Sequence, residues 1–125
     1  MKIIVLKFGG TSVGSILRIK KVAKIIKSYL KNYKVIVLSS AMSGTTNNLI
    51  NMSKKISNNF SAEEYDTLVS AGEQIACALL AGQLQELGIK AKSWMAWQIP
   101  ILTDGMHKHS RIKYINKSPI LNFMK

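Results

Sequence analysis

Apolar and polar positions along this chain follow two different periods. The apolar runs Ile3–Leu6 and Val35–Leu38 predict strands over residues 3–8 and 34–40, and the second strand is predicted to be covered on both faces. Residues 15–31 instead place apolar side chains on one face of a helix and lysines on the other, which is typical of an amphipathic helix. The first third of the chain is therefore predicted to be a strand, a helix and a strand.

The middle of the chain is predicted to be helical. A short helix is expected after the loop 41–46, and a polar connection over 57–61 separates it from a long helix between about residues 62 and 87. We expect this long helix to be interrupted at Ser70–Glu73 and to end in a glycine cap at Gly88.

The last part of the chain is predicted to return to strands. A third strand is expected near 90–94, Pro100 breaks the segment that follows, and a last strand near 111–115 precedes a short helix near 118–124. This order of elements predicts the α/β class, with a mostly parallel sheet and helices on both faces. Ligands of such sheets bind at the carboxyl ends of the strands.

Length and composition restrict the class of protein. A chain of 125 residues with 47% apolar residues forms one domain at most, with a modest core. No apolar run reaches the roughly 18 residues that cross a bilayer, and the N-terminus from Met1 is not typical of a signal peptide. The single Cys77 cannot form an intrachain disulfide. We therefore expect a cytoplasmic protein without a membrane partner.

The formal net charge of +12 raises the alternative of a basic nucleic-acid-binding protein. Of the 18 basic residues, 16 are lysines, and they are spread from Lys2 to Lys125 rather than gathered in one segment. Arginine, the side chain that most often reads bases, occurs only at Arg18 and Arg111. The charge therefore does not predict specific nucleic-acid recognition, and this function is kept only as an alternative.

The segment Lys7–Ser12 carries the residue types of a phosphate site. It follows the first strand and combines a lysine, two glycines and two hydroxyl side chains. Glycines let backbone N–H groups approach an anion, lysine adds a positive charge, and the next helix adds its N-terminal dipole. The segment is not a Walker A loop, because no G-x-x-x-x-G-K-[ST] pattern occurs in the chain. A tight turn without a ligand is the structural alternative.

Three motifs taken together resemble the aspartokinase family of the amino-acid kinase superfamily. They are Lys7–Gly14, Ser39–Asn47 and Ser70–Gln74, in the order and spacing of that family. The resemblance covers essentially the whole chain but only the first half of the family's catalytic domain. It implies that residues 1–125 are the amino-terminal part of an amino-acid kinase catalytic domain, with an incomplete amino-acid kinase-like α/β fold.

The resemblance implies phosphoryl transfer from ATP to the side-chain carboxylate of L-aspartate, which gives 4-phospho-aspartate. This is the first step of the diaminopimelate pathway to lysine, threonine and methionine. The carboxylate has a reference pKa near 3.9 and is already ionised at neutral pH, so the reaction needs alignment and charge neutralisation rather than a general base. ATP is expected as co-substrate with Mg²⁺, which phosphates and water hold, and no protein metal ligand is expected.

The resemblance also assigns roles to individual residues. Lys7 is the expected catalytic residue, which reduces the repulsion between carboxylate and phosphate. The expected ATP- and phosphate-binding residues are Lys7, Gly9, Gly10, Thr11, Ser12 and Ser40. The expected substrate-binding residues are Ser40, Thr46 and Glu73, with Glu73 near the ammonium group of aspartate.

Several of these side chains have a structural alternative. Thr11 and Ser12 have positions from which they can cap the next helix, and Thr46 has the position of an N-cap. Ser70 and Glu73 have the spacing of a capping box, in which the glutamate bonds back to the helix start.

The resemblance further implies partners beyond L-aspartate and ATP. Since part of the catalytic domain lies outside the match, we expect the chain to need a missing carboxyl half, and a separately encoded half is one expected partner. The complete enzyme is expected to be a homo-oligomer. The alternative is a non-catalytic remnant or a subunit of a split aspartokinase. His107 and His109 are a poor metal site, because two ligands without a nearby cysteine or carboxylate cluster do not complete one.

Overall fold

In the computed structural model, residues 1–125 form four strands and four helices. In chain order these are β1 Lys2–Phe8, α1 Ile16–Tyr29, β2 Tyr33–Ser39, α2 Thr45–Ile56, α3 Ala62–Glu86, β3 Ile101–Thr103, β4 Ile112–Ile115 and α4 Ser118–Phe123. The predicted α/β class is confirmed.

The strands β1 and β2 form a parallel pair, and α1 is the connection between them. The register runs from Lys2 opposite Tyr33 to Phe8 opposite Ser39 without a shift. Both predicted strands and the helix between them are confirmed. Because the strands are parallel and in register, their carboxyl ends lie side by side.

Helices α1 and α3 pack on one face of this pair and form the core. The fully or nearly buried cluster contains Val13, Ile19, Val22, Ala23, Ile26, Leu80 and Leu84. Leu6 and Phe8 from β1, with Val35 and Val37 from β2, pack against this cluster from the sheet side. The apolar face of α1 that the sequence predicted is therefore buried against α3 and the sheet pair.

The opposite face of the pair is exposed along β1 and at Leu38, whereas Lys34 and Ile36 are half-buried beside a cavity. We call this face the outer face, and strand alternation assigns to it Ile3, Val5, Lys7, Lys34, Ile36 and Leu38. Ile3, Val5 and Leu38 are 48%, 54% and 55% exposed. Helices thus cover one face only, and the cover expected on the other face is not provided by residues 1–125.

The long helix α3 is continuous, so the predicted interruption at Ser70–Glu73 is wrong. The Ser70 hydroxyl donates to the Thr67 carbonyl at 3.0 Å, which satisfies this side chain inside the helix. Ser61, not Ser70, is the N-cap, and its hydroxyl accepts from the Glu64 N–H at 3.2 Å. None of the helices, α3 included, combines the length and the apolar character needed to cross a membrane.

The predicted glycine cap of α3 is confirmed at Gly88. This residue has φ +74°, and its N–H donates to the Gln85 carbonyl while the Ile89 N–H donates to the Leu84 carbonyl. This is the hydrogen-bond pattern of a Schellman motif, which requires a left-handed residue that glycine adopts at little cost.

The strand predicted near 90–94 is not formed. The Ala91 carbonyl accepts from the Gln85 side-chain amide at 2.9 Å, and a cavity of about 400 Å³ lies between this segment and β2. The strand predicted near 111–115 is confirmed as β4, but it pairs with β3 in an antiparallel hairpin that the sequence pattern did not predict. The short helix near 118–124 is confirmed as α4.

Candidate functional site

The loops that follow β1 and β2 meet at the carboxyl ends of the strands. The Ser40 N–H donates to the Phe8 carbonyl at 3.0 Å, which extends the pairing one residue beyond β2. A Cβ added to Gly10 would lie 3.0 Å from the Ala41 carbonyl oxygen, so the two backbones approach each other closely at this glycine. Because glycine has no Cβ, Gly10 lets the two loops approach each other, and a side chain at this position would collide with the Ala41 carbonyl.

The glycine loop leaves three successive backbone donors free. The Gly9 carbonyl accepts from the Ser12 and Val13 N–H groups at 2.9 and 3.3 Å, which closes the turn. The N–H groups of Gly9, Gly10 and Thr11 have no acceptor within the chain. Successive free N–H groups in a tight loop form a concave donor surface that suits an anion.

Arg18 holds the glycine loop from the first turn of α1. Its Nη1 donates to the Thr11 carbonyl at 2.8 Å. The Ser15 hydroxyl accepts from the Arg18 N–H at 3.3 Å, so Ser15 is the N-cap of α1. The predicted capping by Thr11 or Ser12 is therefore wrong, because the N-cap lies three residues after Ser12. Neither hydroxyl has a hydrogen-bond partner in the chain. The contact between Arg18 and Thr11 was not predicted. The signal that could have identified Ser15 as the N-cap is its position three residues before Arg18, whose N–H it accepts.

Lys7 lies on the outer face, opposite Leu38 in the register. Its side chain is exposed and forms no salt bridge, since the one ion pair in the structure joins His107 and Asp66. The next residue but one is Gly9, where the free donors begin. The structure therefore keeps an unpaired ammonium on the strand that leads into the glycine loop.

Ser40 and Thr46 lie on the second loop and the helix that follows it. The Ser40 hydroxyl would be 3.9 Å from a Cβ on Gly10, so the structure brings Ser40 to the glycine loop. The N-cap of α2 is Gly44, at φ +82°, and no side chain caps this helix. Thr46 is the second helical residue, so the structural alternative that it is the N-cap is wrong. The N–H groups of Thr46 and Asn47 have no acceptor in the chain, which leaves the positive end of the α2 dipole open.

Glu73 follows the residue at which α3 contacts the second loop. A Cβ added to Gly72 would lie 3.0 Å from the Ala41 Cβ and 3.3 Å from the Thr45 Cγ2. Glu73 is exposed and forms neither a salt bridge nor a hydrogen bond through its side chain. The capping-box interpretation is wrong because Ser70 lies inside α3, so the structure assigns the Glu73 carboxylate no structural partner.

The two loops therefore bring free donors and hydroxyls together, and Lys7 and Glu73 each carry an unpaired charge on the strand and the helix that adjoin these loops. The site contains no cluster of three or more histidine, cysteine, aspartate or glutamate side chains, and neither does the rest of the chain. His107, part of the predicted weak metal pair, lies 2.8 Å from Asp66 on α3. Free backbone N–H groups suit an anion, and an unpaired carboxylate suits a cation.

A parallel βαβ unit with a glycine loop at the carboxyl ends of its strands defines an α/β protein of the class that binds ligands at this edge of the sheet. Residues 2–125 match the Amino acid kinase family. The chain belongs to this family, and the predicted resemblance is confirmed.

The curated relatives of the chain are aspartokinases. The aspartokinase of Rickettsia felis is 50% identical over 119 residues, which are 92% of this chain and 30% of that protein. The aspartokinase of Geobacillus stearothermophilus is 50% identical over 121 residues, which are 96% of this chain and 30% of that protein. The chain thus spans about 30% of the length of these curated relatives.

Two solved structures are similar to the fold. The aspartate kinase from Synechocystis superposes with a TM-score of 0.67 and 43% identity, over 70% of this chain and 15% of that one. E. coli aspartokinase III, in complex with aspartate and ADP, superposes with a TM-score of 0.73 over 90% of this chain and 35% of that one. Its identity is 19%, so it supports the fold alone.

Proposed function

We propose that residues 1–125 are the amino-terminal part of the catalytic domain of an aspartate kinase. The reaction transfers the γ-phosphoryl group of ATP to the side-chain carboxylate of L-aspartate and gives 4-phospho-aspartate, the first step towards lysine, threonine and methionine. The relatives at 50% identity support this choice among the amino acid kinases. The free thiol of Cys77 suits the cytosol, where we place the reaction.

The observation that carries the proposal is the contact between the two loops at Gly10. A Cβ added to Gly10 would lie 3.0 Å from the Ala41 carbonyl oxygen and 3.9 Å from the Ser40 hydroxyl, so the glycine loop that carries the free N–H groups lies beside Ser40. Phosphate oxygens of ATP fit such a cradle, because they accept hydrogen bonds from several backbone donors at once. In this proposal Gly9, Gly10, Thr11, Ser12 and Ser40 contact the phosphates.

Lys7 is the proposed catalytic residue. The acceptor carboxylate and the γ-phosphate are both anions, and their approach raises the electrostatic energy of the transition state. An ammonium group that is not paired within the protein is available to reduce this repulsion. Since the carboxylate is ionised at neutral pH, no side chain has to remove a proton from it.

The amino-acid substrate is proposed to bind between α2 and α3. The unpaired carboxylate of Glu73 suits the substrate ammonium group. The open N-terminus of α2, at Thr46, suits a substrate carboxylate, and Ser40 lies on the second loop beside Gly10. Mg²⁺ is proposed to enter with ATP, held by phosphates and water.

A hybrid enzyme tests this proposal. In the aspartokinase of G. stearothermophilus, the segment that matches this chain is replaced by this chain, and ADP release with L-aspartate is measured. We expect the hybrid enzyme to be active and the 125-residue chain alone to show little or no turnover. Lys7→Met is expected to lower kcat by about 100-fold or more, the size of effect seen when one transition-state donor is removed.

Lys24→Met is the matched control, since Lys24 is an exposed lysine on α1 outside the two loops. Full activity of the Lys7→Met hybrid would contradict the catalytic role. Robust turnover by the chain alone would contradict the proposal that it is one part of a catalytic domain. An inactive hybrid that is folded would favour the alternative of a non-catalytic remnant.

A further inference from the structure

The three free donors of the glycine loop lie between two peptide groups that are held in place. Before them, the Phe8 carbonyl accepts from the Ser40 N–H at 3.0 Å. After them, the Thr11 carbonyl accepts from Nη1 of Arg18 at 2.8 Å. The orientation of the N–H groups of residues 9–11 is therefore restrained by Ser40 at one border of the loop and by Arg18 at the other.

The peptide group between Thr11 and Ser12 is held on both sides. Because a peptide group is planar and trans, its carbonyl and its N–H point in opposite directions. The Ser12 N–H donates to the Gly9 carbonyl at 2.9 Å inside the turn, and the Thr11 carbonyl points away from the turn to Arg18. The Gly14 N–H also donates to this carbonyl, but at 3.4 Å. Arg18 therefore provides the stronger restraint on the carbonyl side of this peptide group.

Arg18 reaches the loop from a rigid base. Its N–H donates to the Ser15 hydroxyl at 3.3 Å in the capped first turn of α1. The next residue, Ile19, is 2% exposed and belongs to the core cluster. A guanidinium group is planar and holds its donors in a fixed fork, so its direction is better defined than that of a lysine ammonium. The core thus fixes the backbone of Arg18, and the side chain extends this fixed position to the glycine loop.

Arginine is not the residue type that helix formation favours at this position. Arg18 is the third residue of α1 after the Ser15 cap, where glutamate or glutamine completes a capping box. A positive charge in the first turn is also unfavourable, because the N-terminal end of the helix dipole is itself positive. Residues 1–62 contain no aspartate or glutamate, and the one ion pair of the structure lies elsewhere, so no carboxylate of the chain pairs with Arg18. A role at the glycine loop therefore explains this arginine better than the stability of α1 does.

We propose that Arg18 is a positioning residue for the phosphates of ATP. It holds the Thr11 carbonyl towards α1, so that the free N–H groups of residues 9–11 stay turned towards a phosphate. The same hydrogen bond keeps the carbonyl oxygen, which would repel the phosphate, out of the loop. In this role the guanidinium acts through the glycine loop rather than on the reacting atoms. The inference rests on the proposed function, which places the nucleotide phosphates at this loop.

Two substitutions in the hybrid enzyme separate this role from a merely structural one. Arg18→Gln removes the charge and the fork of donors but suits the third position of a capped helix, so the fold is expected to persist. Arg18→Lys keeps the charge and loses the fork. Lys21→Gln is the matched control, because Lys21 is an exposed lysine of α1 that lies three residues further from the loop. The KM values for ATP and L-aspartate, the Kd for ADP from isothermal titration calorimetry and the urea unfolding midpoint are measured for each variant.

We expect Arg18→Gln to raise the KM for ATP and the Kd for ADP about 10-fold, which corresponds to the loss of one hydrogen bond from a charged group. The KM for L-aspartate and the urea midpoint are expected to stay close to those of the unsubstituted hybrid, because the loop changes its orientation and the core does not. Arg18→Lys is expected to have nucleotide values between the two, since an ammonium keeps the charge but not the geometry of the fork. Lys21→Gln is expected to leave all of these values unchanged.

Unchanged nucleotide values in Arg18→Gln would overturn the inference. A rise in both KM values together with a lower urea midpoint would also overturn it, because Arg18 would then be a structural residue only. An equal effect of Lys21→Gln would overturn it in favour of a general effect of positive charge. If the hybrid has no kinase activity but Arg18→Gln still weakens ADP binding, the proposed function fails and the inference stands. If the hybrid is active and ADP binding does not respond to Arg18→Gln, the inference alone fails.

Discussion

The Nδ1 atom of His107 lies 2.8 Å from the Oδ2 atom of Asp66 and joins the turn of the β3–β4 hairpin to α3. The same carboxylate oxygen accepts from the Lys108 N–H at 3.1 Å, and Lys108 adopts φ +63° at this point. The Lys108 ammonium also lies 4.8 Å from the ring centroid of Tyr65. Through these hydrogen bonds, Asp66 connects the hairpin to the first half of α3.

The Asp66 contact predicts a stability that depends on acid pH. The hydrogen bonds from the Lys108 N–H and from the His107 side chain lower the pKa of Asp66 below its ordinary value of 3.8. The folded chain thus keeps this carboxylate ionised at a pH where the unfolded chain takes up a proton. The stabilisation is present above pH 3.8 and is lost as the pH falls below it.

Urea unfolding of the wild type and of Asp66→Asn, measured from pH 7 to pH 2.5, checks this prediction. We expect the variant to be less stable at neutral pH and the difference to shrink in the acid range. Glu86→Gln, an exposed change in the last turn of α3, is the control and is expected to show no such trend. A difference that stays constant over the whole range would contradict the prediction.

Gly10 and Gly9 are predicted to differ sharply as sites for alanine. A Cβ at Gly10 meets the Ala41 carbonyl oxygen at 3.0 Å, whereas a Cβ at Gly9 meets nothing within 4 Å. We expect Gly10→Ala to destabilise the chain by about 1–3 kcal/mol, since backbone atoms must shift. Gly9→Ala is expected to stay within about 0.5 kcal/mol of the wild type. Urea unfolding of both variants measures the two changes in unfolding free energy. Equal changes would contradict the close approach of the two loops at Gly10.

Leu80 is predicted to be a principal core residue of α3, and its neighbour Leu79 is not. Leu80 is 3% exposed within the cluster formed with α1, while Leu79 is 39% exposed. Leu80→Ala is expected to cost about 2–5 kcal/mol, because it removes buried methyl groups and leaves a cavity. Leu79→Ala is expected to cost clearly less in the same unfolding measurement. The reverse order would place the buried face of α3 elsewhere.

Glu73 is predicted to act on aspartate rather than on ATP. In the hybrid enzyme, Glu73→Gln removes a negative charge without changing the size of the side chain. We expect the KM for L-aspartate to rise about 10-fold or more, the effect of losing one charged hydrogen bond, while the KM for ATP changes little. Glu86→Gln is expected to leave both constants unchanged. An equal rise in the two KM values would refute the assignment of Glu73 to the amino-acid substrate.

The elements that depend on local pattern were predicted well from the sequence. Residues 3–8 and 34–40 have the composition of strands, and residues 15–31 have helical spacing, so the βαβ unit followed from periodicity alone. The cap at Gly88 was predicted correctly, because the left-handed backbone at the end of a helix depends only on residues close to it in the chain. The motif at Lys7–Ser12 likewise depends on residues next to one another in the chain.

The predictions that failed depend on neighbours far away in the sequence. Ser70–Glu73 has the spacing of a capping box, but Ser61 caps α3 and the helix continues through Ser70 to Glu86. The strand expected near 90–94 needs hydrogen bonds from β2, and the cavity between them leaves those bonds unmade. The capping residue of α1 was also predicted wrongly. The helix begins at Ile16, so its N-cap is Ser15 rather than Thr11 or Ser12.

The sequence by itself determined the strands β1 and β2, the helix α1 and the order of the glycine and hydroxyl motifs, because side-chain period and backbone freedom act over a few residues. Only the tertiary structure decided that Gly10 touches Ala41, that Glu73 has no structural partner and that the outer face is uncovered. The approach of Gly10 to Ala41 depends on the parallel register of two strands some 30 residues apart, which sets one loop beside the other. No local pattern encodes a distance between backbones that meet only after the chain has folded.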